Sequence, residues 1–582
     1  MKSRRLKSVG KCLGFLCVLC ASVVNCLSLD REAFTFTNYD LNLQVEAEQH
    51  RLGVRGKITL RNDSQSPQKI AVLQISSSLD WRSVKAGDKV LQYVTQPYTS
   101  DIDHTGGLSE AIVTLPQAVE PKTTIDLEIA YEGVILLDAT RLTRIGTPEE
   151  AANSTDWDQI GAAFTAVRGA GYVAWYPLAT EVANLSEGNS LFEVLGRWKL
   201  REVGSKMHLK IALTSNNNEL PQILFNGVSC SGATLYESMD VDRQVQMGAA
   251  DCMNQSLRLD VPTFVIADYQ VLERPAIEVR YLRGHNVAAA NFADAADKIV
   301  PFITEWFGAS REKAKTADLS DPKAAPFESG ALLLTPLAGS DSGLAAAHQL
   351  THAAFLSFRP WIEEGLAHFA QALCLEREKG RPSALDYMAL HRFALGEIEQ
   401  PTTVPRSDDE VTRSLVNTTR QELYRSKAMY VWWMLRDMVG EAVLKKAIAA
   451  YRPEQDKEPS YMPRLIAAQT QRDLEWFFND WVYRDRGLPD FKVESAFSRK
   501  LPNGAFMLTM TLDNLGTAGA EVPVIVKYAG GEIMQRLEVR SKNKAVIRVE
   551  TPGAPQEIVV NDGSVPESDM TNNTFKVESA EK

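Results

Sequence analysis

Apolar and polar residues alternate along much of the chain between residues 34 and 275. One such run, typical of a strand with a single buried face, is formed by Tyr39, Leu41, Leu43 and Val45. Similar runs cover residues 125–131 and 207–213, and aromatic and apolar residues are concentrated at 172–177 and 191–200. The pattern predicts an N-terminal β-rich domain over residues 29–275.

The period of the apolar positions changes near Asn286, where they recur at intervals of three and four residues. This spacing predicts a helix that begins at Asn286 and ends at Gly308, since glycine is common just past the end of a helix. Further predicted elements are a strand at residues 330–337 and helices at residues 426–439 and 473–484. Residues 276–490 are therefore predicted to be mainly helical, with one strand.

Strand-like alternation returns after residue 490. The alternating positions are Phe506, Leu508, Met510 and Leu512, followed by Val522, Val524, Val526 and Tyr528. Asp513-Asn514 and Gly530-Gly531 are turn signals between and after these runs. The sequence predicts a C-terminal β-sandwich over residues 491–567, a polar tail over residues 568–582, and a multidomain α+β fold for the whole chain.

A basic segment followed by an apolar one opens the chain. The cations are Lys2, Arg4, Arg5, Lys7 and Lys11, and residues 12–24 form an apolar run that is short for a membrane span. This pattern predicts a signal peptide over residues 1–28, with lipid attachment at Cys26 as an alternative to release. We expect an exported, periplasmic or extracellular protein without a transmembrane helix, because no later apolar run reaches membrane length.

Charge and cysteine content narrow the functional classes only slightly. The formal net charge is −11 and no basic run occurs after the N-terminus, which argues against a nucleic-acid partner. Beyond the predicted signal peptide the cysteines are Cys230, Cys252 and Cys374. The first two are predicted to form a disulfide in an oxidising compartment, whereas Cys374, in an apolar helical pattern, is predicted to be a buried thiol.

Two histidines four residues apart lie at the centre of the predicted helical region. On a helix, His348 and His352 project from one face, one turn apart. A tight turn at residues 357–359 precedes a second predicted helix, and antiparallel packing of the two helices would bring Glu364 opposite the histidines. Two imidazoles and a carboxylate suit one zinc ion with a fourth position open, so the sequence predicts a single zinc site.

The residues around this site resemble the membrane-alanyl-aminopeptidase family of zinc peptidases, in the gluzincin group. The resemblance covers the order of the three domains and is sharpest at His348-x-x-x-His352 and Trp361-Ile362-Glu363-Glu364-Gly365. The family counterpart of the second motif is W-L-N-E-G, which aligns its zinc-binding Glu with Glu364. The 11 residues between His352 and Glu364 are fewer than is usual in the family. The resemblance implies a gluzincin-type catalytic domain that hydrolyses peptides.

Two further family features are present in altered form. The family places a tyrosine that stabilises the tetrahedral intermediate in a Y-x-K-G motif, which Tyr424-Arg425-Ser426-Lys427-Ala428 exceeds by one residue. The family's G-A-M-E-N strand holds the substrate amine through its Glu, to which Glu328 corresponds. The resemblance thus implies Tyr424 as a catalytic residue and Glu328 as a substrate-binding residue. The alternatives from the residues alone are a core tyrosine and a glutamate at the surface edge of a strand.

The largest departure from the family is Gln349, which occupies the position of the general base in H-E-x-x-H. A glutamine amide can form a hydrogen bond to the attacking water, but it cannot accept its proton. Three hypotheses therefore remain open. They are a zinc metallopeptidase with impaired activity, an inactive pseudopeptidase that binds a peptide or protein, and an exported scaffold without metal. Substrate and oligomeric state are not predicted.

Overall fold

The computed structural model describes residues 29–187, 190–215, 221–240, 243–337, 342–398, 414–418, 420, 423–484 and 486–577. The predicted signal peptide and Cys26 lie outside these residues. Within the described part, every helix is too short or too polar to cross a membrane. The chain has a multidomain α+β fold with several sheets.

The N-terminal region is built mainly from β-strands. They are β1 (Phe34–Glu46), β2 (Arg51–Asn62), β3 (Gln68–Ser76), β4 (Leu79–Ala86), β5 (Lys89–Val90), β6 (Tyr93–Thr99), β7 (Gly107–Val119), β8 (Thr124–Val134), β9 (Phe164–Arg168), β10 (Lys206–Ser215), β11 (Gln222–Phe225), β12 (Val228–Ser229), β13 (Ser231–Asp240), β14 (Arg243–Ser256) and β15 (Thr263–Ala267). Its helices are α1 (Thr140–Arg144), α2 (Glu149–Thr155) and α3 (Ser190–Glu202).

Three sheets share the N-terminal core. The largest has the order β13-β14-β10-β1-β2-β8-β4-β5, and the others are β3-β7-β6 and β12-β11-β15-β9. The predicted alternation is confirmed in β1, where Tyr39, Leu41 and Leu43 are buried. The predicted disulfide is also confirmed, because Cys230 is bonded to Cys252 of β14.

Residues 191–200, placed by the sequence in a β-rich region, belong to helix α3. Their buried side chains, Leu191, Val194 and Trp198, are spaced by three and four residues, which is a helical period. High aromatic content concealed that spacing. Because this segment is a helix, its residue Lys199 lies in the wall of the cavity that is described with the metal centre below.

The central region combines a small sheet with helices. Its elements are β16 (Gln270–Glu273), β17 (Ile277–Tyr281), α4 (Asn286–Phe307), β18 (Ala314–Asp318), β19 (Phe327–Ser329), β20 (Leu332–Thr335), α5 (Ser342–Ala354), α6 (Pro360–Lys379), α7 (Arg381–Ile398), a π-helical turn (Leu423–Lys427), α8 (Ala428–Val439), α9 (Glu441–Ala450), α10 (Tyr461–Ala467), α11 (Glu475–Phe478) and a second π-helical turn (Asn479–Tyr483).

The helix predicted from Asn286 is confirmed and ends at Gly308, whose φ is +86°. The prediction of a single strand was wrong, because β16-β17-β18-β20-β19 form a five-stranded sheet. Its inner strands β17, β18 and β20 are parallel and at most five residues long, which is too short for the pattern of apolar residues to identify them as strands. Hairpin β16–β17 spans the predicted boundary between residues 275 and 276.

The C-terminal region consists of two facing sheets. Its strands are β21 (Phe491–Lys500), β22 (Phe506–Asn514), β23 (Ala520–Tyr528), β24 (Gly531–Val539), β25 (Lys544–Thr551), β26 (Pro555–Val560) and β27 (Thr574–Lys576). They form the sheets β21-β22-β25 and β24-β23-β26-β27. Strand β27 lies within the predicted polar tail and pairs with β26, so the sheet continues beyond residue 567. The buried side chains of this region and of the central helices form one continuous core.

Candidate metal centre

Helices α5 and α6 hold the predicted zinc ligands. The first ends at Ala354 and the second begins at Pro360, as the tight turn at residues 357–359 predicted. Proline is accepted in a first helical turn because the amide nitrogen there has no partner within the helix. The short turn brings the start of α6 against the histidine-bearing face of α5, so Glu364 reaches His348 and His352.

The three side chains converge on one point. His348 Nε2 and His352 Nε2 are 3.0 Å apart. The Glu364 carboxylate places Oε2 4.0 Å from His348 Nε2 and Oε1 3.7 Å from His352 Nε2. Zinc bonds of about 2.0–2.1 Å in a tetrahedron imply ligand atoms roughly 3.3 Å apart. The observed separations lie on either side of that value.

The chemistry of this donor set fits zinc. Two imidazole nitrogens and a carboxylate oxygen are its usual nitrogen and oxygen ligands. Both histidines are buried, and within the described part of the chain neither His348 Nδ1 nor His352 Nδ1 has a hydrogen-bond partner. Two ring nitrogens that face each other at 3.0 Å can share one proton at most, so a cation between them would satisfy both.

Charges around the centre favour an ionised carboxylate. Burial raises the pKa of Glu364, but Arg425, His352 and His348 outweigh it and hold the pKa below its usual range. Burial lowers the pKa of His348. For His352, burial is outweighed by Glu363 and Glu364, which raise its pKa to about 9. The centre thus combines a protonated imidazole with an ionised carboxylate. A divalent cation can bind there by displacing the proton from the imidazole.

Glu363 lies next to the centre but on its outer side. Its Oε1 is 3.7 Å from His352 Nδ1, the ring nitrogen opposite the convergence point. Burial raises the pKa of Glu363 to about 7. Its position suits an electrostatic partner of a ligand histidine, as carboxylates commonly are around metal sites.

Gln349 is fully buried on α5, immediately after His348. Neither its amide oxygen nor its amide nitrogen has a hydrogen-bond partner among the described residues. Buried amides normally have partners, and one without them costs about 1–3 kcal/mol. The role of Gln349 as the residue at the position of the general base stays a prediction.

Tyr424 lies in the π-helical turn Leu423–Lys427 and lines a recess together with Glu364. A π-helical turn holds one residue more than an α-helical turn, and such turns are frequent at functional sites. Helix α8 continues directly from this turn at Ala428.

Glu328 is on β19, the edge strand of the five-stranded sheet, and is partly exposed. Its Oε2 lies 3.6 Å from His348 Nε2. Glu328 is thus at a strand edge and also near the centre, and its role in substrate binding stays a prediction. His368, one turn after Glu364 on α6, has its Nδ1 3.2 Å from the Tyr387 hydroxyl.

The sequence missed Arg425, which contacts a proposed ligand. Its Nε is 2.9 Å from Glu364 Oε2, an ion-pair distance, although the N–H bond is not directed at that oxygen. Its position next to Tyr424 was the one available signal. The sequence also missed Lys199 and Asp260, which lie on α3 and in the turn before β15. Their electrostatic coupling to the centre has no local signature, because the chain brings them there from distant segments.

A cavity of about 540 Å³ adjoins the centre. Its polar lining includes Lys199, Glu328, Tyr424 and Arg425. Apolar groups from α3, among them Leu191, Phe192 and Leu195, form another part of its wall. The volume lies in the usual range for sites that bind small molecules or short peptides.

Comparisons with known proteins give structural neighbours only. No protein-family model and no curated protein matches the sequence. The similar solved structures are M1 zinc metallopeptidases. A mutant of the Deinococcus radiodurans enzyme bound to a Tyr-Ser-Ala substrate has a TM-score of 0.48 and 15% identity, over 79% of this chain and 96% of that chain. A two-domain mutant bound to L-tryptophan gives the same values. Another structure of the D. radiodurans enzyme has a TM-score of 0.46 and 14% identity, over 79% and 95%.

Proposed function

We propose that this chain is an exported, zinc-binding, aminopeptidase-like metallopeptidase of the gluzincin type that acts on peptides, with activity limited by Gln349. The convergence of His348, His352 and Glu364 in a buried cleft carries the proposal. In the proposed layout, residues 1–28 are a signal peptide and residues 29–275 a β-rich domain. Residues 276–490 are then the catalytic domain, 491–567 a β-sandwich and 568–582 a polar tail.

Each polar group around the cleft has a proposed task. Bound zinc would polarise a peptide carbonyl and make the attacking water more acidic. Glu328 would accept a hydrogen bond from the free amine of the substrate. Tyr424 would donate one to the carbonyl oxygen as negative charge develops on it. Gln349 can orient the water but cannot remove its proton, so the step that needs a base would be slow.

The alternative is a catalytically inactive pseudopeptidase that binds a peptide or protein in the same cleft. Two observations favour it. Gln349 aligns with the position of the base. The carboxylate of Glu363, which precedes Glu364, faces Nδ1 of His352 instead of the cleft. The metal centre and the cavity would then serve recognition, and the two hypotheses differ only in turnover.

The first test measures metal content. We expect purified protein to bind one zinc ion. Loss of a residue that only supports a metal ligand weakens metal binding about 10–100-fold, so His348→Ala, which removes a proposed ligand itself, should weaken zinc binding more than that. Zinc titration followed by elemental analysis measures this. His208→Ala is the matched control, because His208 lies between Asp40 and Asp251 on the N-terminal sheet. Wild-type protein without stoichiometric zinc would exclude the proposal.

The second test measures peptide hydrolysis at equal zinc occupancy. We expect weak or absent turnover of a mixed peptide library by wild-type protein. Gln349→Glu should raise the rate about 10²–10⁴-fold, which is the usual contribution of a general base. Fast wild-type turnover would show that another residue is the base. Peptide binding without turnover by either protein would favour the pseudopeptidase.

A further inference from the structure

Lys199 lies at the junction of the two spaces that adjoin the metal centre. It lines the recess that it shares with Glu364 and Tyr424, and it also lines the cavity of about 540 Å³. The residue belongs to α3 in the N-terminal region, whereas the metal centre belongs to α5 and α6. The N-terminal region thus places the positive charge of Lys199 beside a metal centre that the central region forms.

The Lys199 ammonium forms no hydrogen bond and no ion pair with any described residue. Other cations nearby are paired: Arg141, on the wall of the same cavity, forms two hydrogen bonds to Asp156, at 2.7 and 2.8 Å. Arg201, two residues further along α3, lies 3.5 Å from Glu32. An unpaired ammonium with restricted access to water is unfavourable, and a bound anion offsets that cost.

Arg425 adds a second positive charge to the same wall. Lys199 and Arg425 line the same cavity. Burial, followed by the Arg425 guanidinium, holds the pKa of Lys199 below its usual range, against the opposite effect of the Glu364, Asp260 and Glu363 carboxylates. The Arg425 guanidinium has five N–H donors, and its Nε lies 2.9 Å from Glu364 Oε2 without a hydrogen bond between them. Repulsion between two cations falls when an anion binds between them.

We propose that Lys199 and Arg425 form a subsite for a carboxylate of the peptide in the cleft, in the first place the C-terminal carboxylate of a short peptide. The cavity also contains the anionic group of Glu328, so its charges complement a peptide with a free amine and a free carboxylate. The side chain of an aspartate or glutamate offers the same chemistry. This inference rests on the proposed function, because it assigns the substrate class of that cleft.

Binding of short peptides to the zinc-loaded full-length protein tests the proposal. The probes are a tripeptide of alanines with a free C-terminus, its C-terminal amide, and an amide with glutamate at the middle position. Hydrogen bonds to charged groups predict that amidation weakens binding to wild-type protein roughly 10–100-fold. In Lys199→Met the free and amidated peptides should bind with affinities within about threefold of each other, and Lys199→Arg should restore the difference. Lys298→Met, on a separate cavity, is the control.

Each outcome has one interpretation. Recovery of affinity by the glutamate amide supports the subsite with a side-chain carboxylate as its ligand. Equal affinity of wild-type protein for all three peptides overturns the subsite and leaves the proposed function intact, since zinc and peptide still bind. Binding of zinc but of no peptide overturns both. The comparison on wild-type protein needs no variant, so poor folding of Lys199→Met cannot obscure the result.

Discussion

Glu364 illustrates how one carboxylate lies between two positively charged side chains. Its Oε1 faces His352, while its Oε2 lies against Arg425. The guanidinium keeps the carboxylate ionised and fixes its position before any metal binds. A bound divalent cation would share this carboxylate with Arg425. We therefore expect zinc affinity to depend on a contact that lies outside the proposed three-ligand motif.

Glu364→Gln separates these two functions. Without zinc, we expect the variant to be about 1–3 kcal/mol less stable than wild type, because Arg425 loses its charged partner. Zinc at a concentration of 1,000 times its Kd should stabilise wild-type protein by about 4 kcal/mol, and the variant much less. Urea unfolding with zinc and with a chelator measures both effects. Glu378→Gln, on the exposed end of the same helix, should behave as wild type. Equal zinc stabilisation of both variants would exclude Glu364 as a ligand.

At the scale of elements, the close approach of α6 to the start of α8 positions Tyr424 and Arg425. A Cβ atom on Gly365 would lie 2.7 Å from Ala428 Cβ and 3.1 Å from Trp432 Cδ1. The two helices therefore meet with no side chain between them at Gly365. The π-helical turn before Ala428 then directs Arg425 to Glu364, which immediately precedes that glycine.

Gly365→Ala should force these helices apart. Overpacking of a filled core costs about 1–3 kcal/mol, so we expect a loss of stability in that range, accompanied by weaker zinc binding as Glu364 moves. Urea unfolding and zinc titration are the measurements. In Gly204→Ala the new methyl group meets open space, so that variant should lose neither stability nor zinc affinity. A Gly365→Ala protein as stable as wild type would show that the helix contact is not tight.

At the scale of the whole molecule, charged groups join the central helices to the C-terminal sheets. Asp437 of α8 is 2.8 Å from Arg381 and 3.1 Å from Arg536 of β24. Arg381 also reaches Asp562, at 2.9 Å. These pairs lie over a continuous apolar core, so the two regions are expected to unfold together.

Asp437→Asn should weaken this junction by about 1.5–3 kcal/mol at pH 7, the range for hydrogen bonds to charged groups. Burial raises the pKa of Asp437, but the Arg381, Arg536 and Arg436 guanidinium groups outweigh it and hold the pKa below the ordinary 3.8. The stabilisation by the carboxylate is thus present above pH 3.8. It is lost as the pH falls through the lower pKa that Asp437 has in the folded protein. Urea unfolding of both proteins should show the difference shrinking below pH 3.8, while exposed Asp88→Asn shows none. A difference that is independent of pH would contradict this.

The sequence by itself determined the features that depend on neighbouring residues. Helix periodicity placed His348 and His352 on one face, the short turn before Pro360 predicted the position of Glu364, and Gly308 marked the end of a helix. The alternating strands of both β-rich regions were predictable for the same reason. Such features follow from backbone geometry over a few residues, which fixes the direction of each side chain.

Only the tertiary structure decided the rest. The strands of the five-stranded sheet are at most five residues long, too short for a period to be reliable, so this sheet and the orientation of Glu328 toward His348 were not predictable in full. Lys199 and Arg425 meet at the cleft because α3 packs beside the central helices. Electrostatic interactions depend on the distance between charged groups in space, and the separation of those groups along the sequence does not reveal that distance. The proposed metal ligands could therefore be found in the sequence, as could Tyr424 and Glu328, whereas Lys199 and Arg425 could not.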